Sequence, residues 1–209
     1  MSWSSWLPLA ALIVGFFWYS QQGQIIAEAM RRAQRRGWRG ALLTLLGSLV
    51  GDAVWIAAGL VVLALAGQID AVRVVLSVVG SFLFLRLAWS ALQDARTGAQ
   101  PHSKLADRGS DFATGAFVSL RNPYALGLWL GVSAALLYLA TPAPDAALFA
   151  TFLAALLTGA LLWCLLLSWL AARGGPGAGF FRAINVAAGV TLALVGVTVL
   201  WNTFQLAGQ

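Results

Sequence analysis

Apolar residues in this chain fall into six long blocks separated by short polar connections. Several blocks reach or exceed the ~20 residues that a helix needs to cross about 30 Å of hydrocarbon. A helix satisfies its backbone hydrogen bonds within one segment, which lipid requires because it offers no partners. The pattern therefore predicts an all-α polytopic membrane protein. The six predicted spans are residues 6–30, 40–66, 72–92, 112–139, 146–172 and 180–203.

The first block is interrupted by polar residues partway along its length. Residues 6–19 are mostly apolar and are soon followed by Gln21, Gln22, Gly23 and Gln24. An apolar run this short is typical of an interrupted or re-entrant segment. Lipid would leave the glutamine amides without partners, so these side chains must lie inside protein or beside water. The pattern predicts a helix that is broken at membrane depth.

The fourth block is interrupted at a corresponding place by Arg121, Asn122, Pro123 and Tyr124. Proline lacks a backbone donor and presses against the carbonyl four residues earlier, so it kinks or breaks the helix. Interrupted segments at matching positions of two halves indicate a binding site near the bilayer midplane. We expect a substrate site to form between the two breaks. The alternative is a proline-kinked helix, with the glutamines hydrogen-bonded to neighbouring helices.

A polar segment divides the chain nearly in half. Residues 96–111 are predicted to form a cytoplasmic linker between two three-helix units, 1–95 and 112–209. Because each unit has an odd number of spans, the second unit enters the membrane from the opposite side. If the units share a fold, they form a 3+3 inverted repeat, which is common among secondary transporters.

Charge is sparse and is distributed unevenly along the chain. Hydrophobic residues make up 60% and charged residues only 10%, whereas soluble domains carry about 25% charged residues. Basic residues concentrate in alternate connections, at 31–39, 96–108 and 173–182. Because Lys and Arg accumulate on the cytoplasmic side, both termini are predicted to face away from the cytoplasm. The formal charge of +6 then reflects topology, and we predict no nucleic-acid partner.

Ionisable residues inside the predicted spans are functional candidates, because a charge at membrane depth is costly. Asp52 lies near the middle of the second span and Glu28 near the cytoplasmic end of the first. Either acid is a candidate to bind a substrate ammonium or to carry a coupling proton. The alternative for Asp52 is a structural ion pair with Arg121 or Arg86, and Arg86 can also extend to the interface.

Glycine pairs four residues apart occur in two of the spans. Gly47–Gly51 lies in the second span and Gly127–Gly131 in the fourth. Small residues at this spacing let helices approach closely. They are predicted to pack helices within the chain, and the same spacing is compatible with a homodimer.

Side chains that enzymes and metal sites need are scarce. Cys164 is the only cysteine, so no internal disulfide or dithiol can form, and the single histidine, His102, lies in the linker. Glu28 and Asp52 are the only acids at depth, whereas metal sites need clustered ligands. We predict no catalytic residue, no metal, no cofactor and no enzyme activity.

Four stretches of the sequence carry a family resemblance when they are taken together. They are RRGWRGALLTLLGSLVGD, FLFLRLAWSAL, LRNPYALGLWLG and FFRAINVAAGVTLALVGV. In order and spacing they resemble the second, third, fourth and last spans of the LysE/RhtB family of amino-acid exporters, including its Asn-Pro motif. The resemblance covers nearly the whole chain, and it implies a transporter in the bacterial cytoplasmic (inner) membrane.

The sequence departs from that family at the predicted site. Gln22-Gly23-Gln24 stands where the family typically has Pro-Gly-Pro, and Tyr124 follows the Asn-Pro motif where lysine is common. Arg86 stands where an apolar or aromatic residue is more usual. The resemblance therefore implies an exporter whose substrate differs from lysine, arginine or threonine.

The breaks, Asp52 and the resemblance lead to one main hypothesis. The chain is expected to be an antiporter that exports amino acids or related small zwitterions, coupled to protons or another cation. Its predicted partners are a small-molecule substrate and the lipid bilayer. Two alternatives stay open, namely an exporter of a divalent cation on the same fold and a non-transporting membrane scaffold.

Overall fold

The computed structural model describes residues 6–21, 23–66, 70–98, 109–122, 129 and 146–207. Its helices are α1 (Leu7–Tyr19), α2 (Gly23–Ala66), α3 (Asp70–Thr97), α4 (Asp111–Leu120), α5 (Ala146–Ala172) and α6 (Ala178–Ala207). No strand occurs in these ranges. The all-α polytopic class predicted from the sequence is confirmed.

By length and composition, four helices in the described part of the chain are long and apolar enough to cross a membrane. These segments are Gly23–Gly59, Val74–Thr97, Ala147–Ala172 and Ala178–Gln205. Helix α1 is apolar but shorter. The remainder of the predicted fourth span, beyond α4, lies almost entirely outside the described residues.

Both predicted helix breaks are present. Helix α1 ends at Tyr19, and α2 begins at Gly23 after a turn. Helix α4 ends at Leu120, with Arg121 in a turn and Asn122 in irregular structure. The broken first and fourth helices are therefore confirmed, although Pro123 itself lies outside the described residues.

The first predicted connection contains a kink. Two helical parts of α2 meet at Gly37 (φ 68, ψ −166), a non-helical residue inside the predicted connection 31–39, and the arginines before it are helical. A positive φ of this kind suits glycine, which has no Cβ to clash. The arginines before Gly37 stay helical because arginine is a good helix former and because several of them make ion pairs described below.

The helices pack in a small set of pairs. Helix α1 lies against α5, α2 lies against α4 and also against α5, and α3 lies against α6. Two buried apolar clusters fill the interior, one around Leu156 and Phe84 and the other around Trp163 and Leu167. Large apolar side chains on the outer faces, such as Phe82, Leu194 and Trp201, are exposed, as lipid-facing positions should be.

Close helix approach depends on four glycines. A Cβ added at any of them would overlap a backbone carbonyl oxygen of the facing helix. These pairs are Gly15 with Leu156, Gly159 with Leu12, Gly47 with Phe112, and Gly115 with Thr44. The predicted packing role of Gly47 is thus confirmed within the chain, whereas Gly127 and Gly131 lie outside the described residues.

Candidate functional site

Side-chain hydrogen bonds hold the first break in place. The hydroxyl of Ser20 donates to the carbonyl of Phe17 at 2.7 Å. The amide Nε2 of Gln21 donates to Ser20 Oγ at 3.1 Å and to Asn185 Oδ1 on α6 at 3.2 Å. The end of α1 is therefore tied to a different part of the chain, 164 residues away in sequence.

The second break is organised around the backbone carbonyl of Ser119. This oxygen accepts from the backbone N–H of Asn122 at 3.0 Å. It also accepts from the indole Nε1 of Trp55 on α2 at 3.3 Å. Helix α2 therefore contacts the residue at which the hydrogen-bond ladder of α4 ends.

Asp52 lies between the two breaks. It sits in α2 with only 3% of its surface exposed, and it accepts a hydrogen bond from the hydroxyl of Ser119. Gly51 makes room for this contact, because a Cβ there would lie 2.8 Å from the Ser119 side chain. The carboxylate of Asp52 is thus held by the end of α4.

The last residue of α1 faces the same carboxylate. The Tyr19 side chain is 1% exposed, and its hydroxyl interacts with Asp52 without a hydrogen bond of standard geometry in the described part of the chain. Tyr19 is the last residue of α1, and Ser119 is the second-last residue of α4. The structure therefore brings both breaks to one buried acid.

The other predicted site residues are placed differently. Gln21 is partly buried, Gly23 begins α2, and Gln24 is exposed. Arg121 is also exposed, with its guanidinium carbon 5.2 Å from the centroid of the Phe117 ring. Asn122 is partly buried beside the second break. The predicted site residues Gln22, Pro123 and Tyr124 lie outside the described residues.

Glu28 belongs to a separate buried ion-pair network. Its carboxylate is fully buried and lies 2.5 Å from Arg31 and 2.6 Å from Arg32. Arg32 also pairs with Asp111 at the start of α4, and Arg36 reaches the same carboxylate at 2.7 Å. The network joins α2 to α4 on the far side of the breaks.

Sequence reasoning did not identify Tyr19, Ser119 or Asp111 as site residues. Tyr19 resembles the apolar residues around it, and Asp111 is an ordinary acid in the first turn of a helix, next to the helix dipole. The position of Ser119 four residues before Pro123 was a usable signal, because proline disturbs that carbonyl. No pattern in the sequence indicates that Ser119 meets Asp52.

No group of three or more His, Cys, Asp or Glu side chains that could hold a metal ion occurs among the described residues. Cys164 is buried as a free thiol in the cluster around Trp163. The polar side chains described above at the two breaks offer one carboxylate, hydroxyls and amides.

The region of the chain that matches known proteins includes both breaks and Asp52. The family described as LysE type translocator matches residues 10–203. The chain is 35% identical over 170 residues to the chemotactic transduction protein ChpE of Pseudomonas aeruginosa. The aligned region covers 78% of this chain and 82% of that protein. No solved structure matches the chain.

Proposed function

The chain belongs to the family of LysE type translocators, and from that premise we propose that it exports amino acids or related small zwitterions. Family membership makes it a membrane transporter, with a small-molecule substrate and a lipid bilayer around it. The family is one of transporters and not of enzymes. The observation that supports the finer proposal is the convergence of both helix breaks on buried Asp52.

A zwitterion needs opposite charges at its two ends, and the site offers partners for both. The ammonium group of the substrate pairs with the carboxylate of Asp52. The substrate carboxylate meets the N-terminus of α2, where the helix dipole favours an anion, or it meets Arg121. A Cβ at Gly23 would find no atom within 4 Å, so there is open space beside this helix end.

Asp52 is the better of the two candidates for carrying a coupling proton. Its partner Ser119 is a hydroxyl, which donates to a carboxylate and accepts from a carboxylic acid. The contact thus survives both protonation states. Glu28, by contrast, is engaged in ion pairs with the guanidinium groups of Arg31 and Arg32.

The packing of the described helices supports an inverted repeat. In such a repeat α1 corresponds to α4, and Gly15 then corresponds to Gly115, 100 positions later. Likewise α2 corresponds to α5, and Gly47 corresponds to Gly159, 112 positions later. The carbonyls that the glycines meet follow the same two offsets; they belong to Leu12 and Phe112, and to Thr44 and Leu156. A twofold relation between the halves produces such matched contacts.

Counterflow in proteoliposomes tests the proposal. Purified protein is reconstituted with a trapped unlabelled amino acid, and uptake of the labelled amino acid is measured across a panel of candidates. We expect saturable uptake of at least one, and Asp52→Asn should lower its rate roughly tenfold or more, which is a barrier change of at least ~1.4 kcal/mol.

Asp94→Asn is the matched control, because it makes the same acid-to-amide change in α3 near the end of that helix. Its uptake rate should stay close to that of the wild type. Absence of saturable uptake for every amino acid in the panel would contradict the cargo. Equal uptake by wild type and Asp52→Asn would contradict the role of the acid.

A second candidate function follows from the name of the similar protein. ChpE is called a chemotactic transduction protein, so this chain could serve as a non-transporting membrane component of such a system. The same experiment separates the two functions. A folded protein that binds a small ligand without counterflow would favour the second candidate.

A further inference from the structure

The two half-helices that lead to the breaks are joined at their far ends by the buried ion-pair network. The first part of α2, residues 23–36, runs from the first break, and α4 runs toward the second. Arg32, which is 1% exposed, pairs with Glu28 on its own helix and with Asp111 on α4. Its NH2 group also donates to Thr114 Oγ1 at 2.9 Å.

This network is not what the packing of the half-helices requires. Helix α1 packs on α5 through the same kind of glycine contact that α4 uses on α2. The position 100 residues before Asp111 is Ala11, a fully buried apolar residue. The glycine contact of α4 with the second part of α2 thus has a counterpart without an ion pair, whereas the Arg32–Asp111 pair joins α4 to the first part of α2.

The network is also arranged so that one contact can open without leaving a buried charge alone. If Arg32 separates from Asp111, Arg32 keeps Glu28 at 2.6 Å. Asp111 keeps Arg36, whose side chain is 49% exposed. An unpaired buried charge is strongly destabilising, whereas an exchange between partners avoids that cost. The Arg32–Asp111 contact is thus suited to a structure with two states.

We propose that the Arg32–Asp111 ion pair is a gate that closes the arginine-rich end of the molecule, the predicted cytoplasmic end. When the gate opens, α4 separates from the first part of α2, and water then reaches the breaks and Asp52. This inference rests on the proposed function, because only a transporter must open to each side in turn. Asp111 and Arg32 act as positioning residues and do not contact the cargo.

The single cysteine of the chain provides the measurement. Cys164 is fully buried and packs in the same cluster as Ile26 and Ala29, which lie on the gated segment of α2. The rate at which N-ethylmaleimide modifies Cys164 in proteoliposomes, followed by mass spectrometry without any cargo, therefore reports how often this end is open. Cys164→Ala supplies the background.

Asp111→Asn should raise the labelling rate about tenfold or more, because Arg32 then loses its charged partner on α4; a tenfold rise is ~1.4 kcal/mol. Arg32→Lys should also raise it, since one ammonium cannot bridge both carboxylates and Thr114. Arg36→Gln is the matched control. It removes the partner that Asp111 keeps in the open state, so labelling should not rise.

Three results would overturn the gate. One is labelling at the wild-type rate in folded Asp111→Asn and Arg32→Lys. Another is an equal rise in Arg36→Gln, which would mean that any loss from the network loosens the structure. The third is failure of both gate variants to fold, which would make the network a stability element. Labelling that responds as expected while counterflow is absent would instead contradict the cargo and keep the gate.

Discussion

Asp52 illustrates how a residue that lipid cannot tolerate is accommodated. It lies in an apolar helix with 3% of its surface exposed, where an isolated carboxylate would be very costly. The Ser119 hydroxyl supplies a hydrogen bond from 67 residues away in sequence. Because Ser119 lies in the last turn of α4, the acid and the second break depend on each other.

Replacing Ser119 with alanine tests that dependence. Ser119→Ala leaves Asp52 without this donor, and a hydrogen bond to a charged group contributes ~1.5–3 kcal/mol. We expect the unfolding midpoint in detergent to fall by roughly 5 °C. The matched control is Ser81→Ala, because the buried Ser81 hydroxyl donates to the Ser77 carbonyl of its own helix at 2.7 Å. Equal shifts in the two variants would contradict a special role for Ser119.

Gln21 and Arg121 show that residue type and residue role are separate questions. Both were predicted to line the substrate site. In the structure Gln21 bonds to Ser20 and Asn185, which agrees with the alternative of hydrogen bonding to a neighbouring helix. Arg121 lies over Phe117 on an exposed surface. Their roles in binding a substrate stay predictions.

At the scale of elements, the helices approach closely where glycines, which have no side chain, lie at the contact. The contact of α2 with α4 brings Gly47 against the Phe112 carbonyl and Gly115 against the Thr44 carbonyl. Lipid offers no hydrophobic drive for helix association, so packing at short distance supplies much of it. This close contact also sets the position of Asp52 relative to Ser119.

Gly47→Ala should therefore separate α2 from α4. The added methyl group would overlap the Phe112 carbonyl, and overpacking of this kind costs ~1–3 kcal/mol. We expect a lower unfolding midpoint together with impaired transport. Gly179→Ala is the control, since a Cβ there meets nothing within 4 Å and alanine favours a helix by ~0.5–1 kcal/mol. A loss of stability in both variants would contradict the packing argument.

At the scale of the whole molecule, the distribution of charge predicts the orientation. Basic residues lie in alternate connections, so both termini should face away from the cytoplasm. Alkaline phosphatase folds only outside the cytoplasm and is a suitable reporter. Fused after Ala207 it should be active, and inserted in the linker at 99–108 it should be inactive. The reverse result would mean that the arginine-rich end faces outward.

The fold class, the long apolar helices and the positions of both breaks can be predicted from the sequence alone. These features depend on local preferences, because a helix in lipid satisfies its own backbone and proline or clustered glutamines disturb it wherever they occur. The first break was predicted at Gln21–Gln24 and lies between Tyr19 and Gly23. The sequence also identified Asp52 and Glu28 as buried acids that need partners.

The partners of those acids, by contrast, depend on how the helices pack. Asp52 accepts a hydrogen bond from Ser119, and Arg32 reaches Asp111 across 79 residues; neither partner was predicted from the sequence. A buried charge demands compensation, but many side chains can supply it. Which of them does so depends on which helix faces pack against each other. Those faces are set by glycine contacts such as Gly47 with Phe112, which are properties of two helices at once and not of either segment alone.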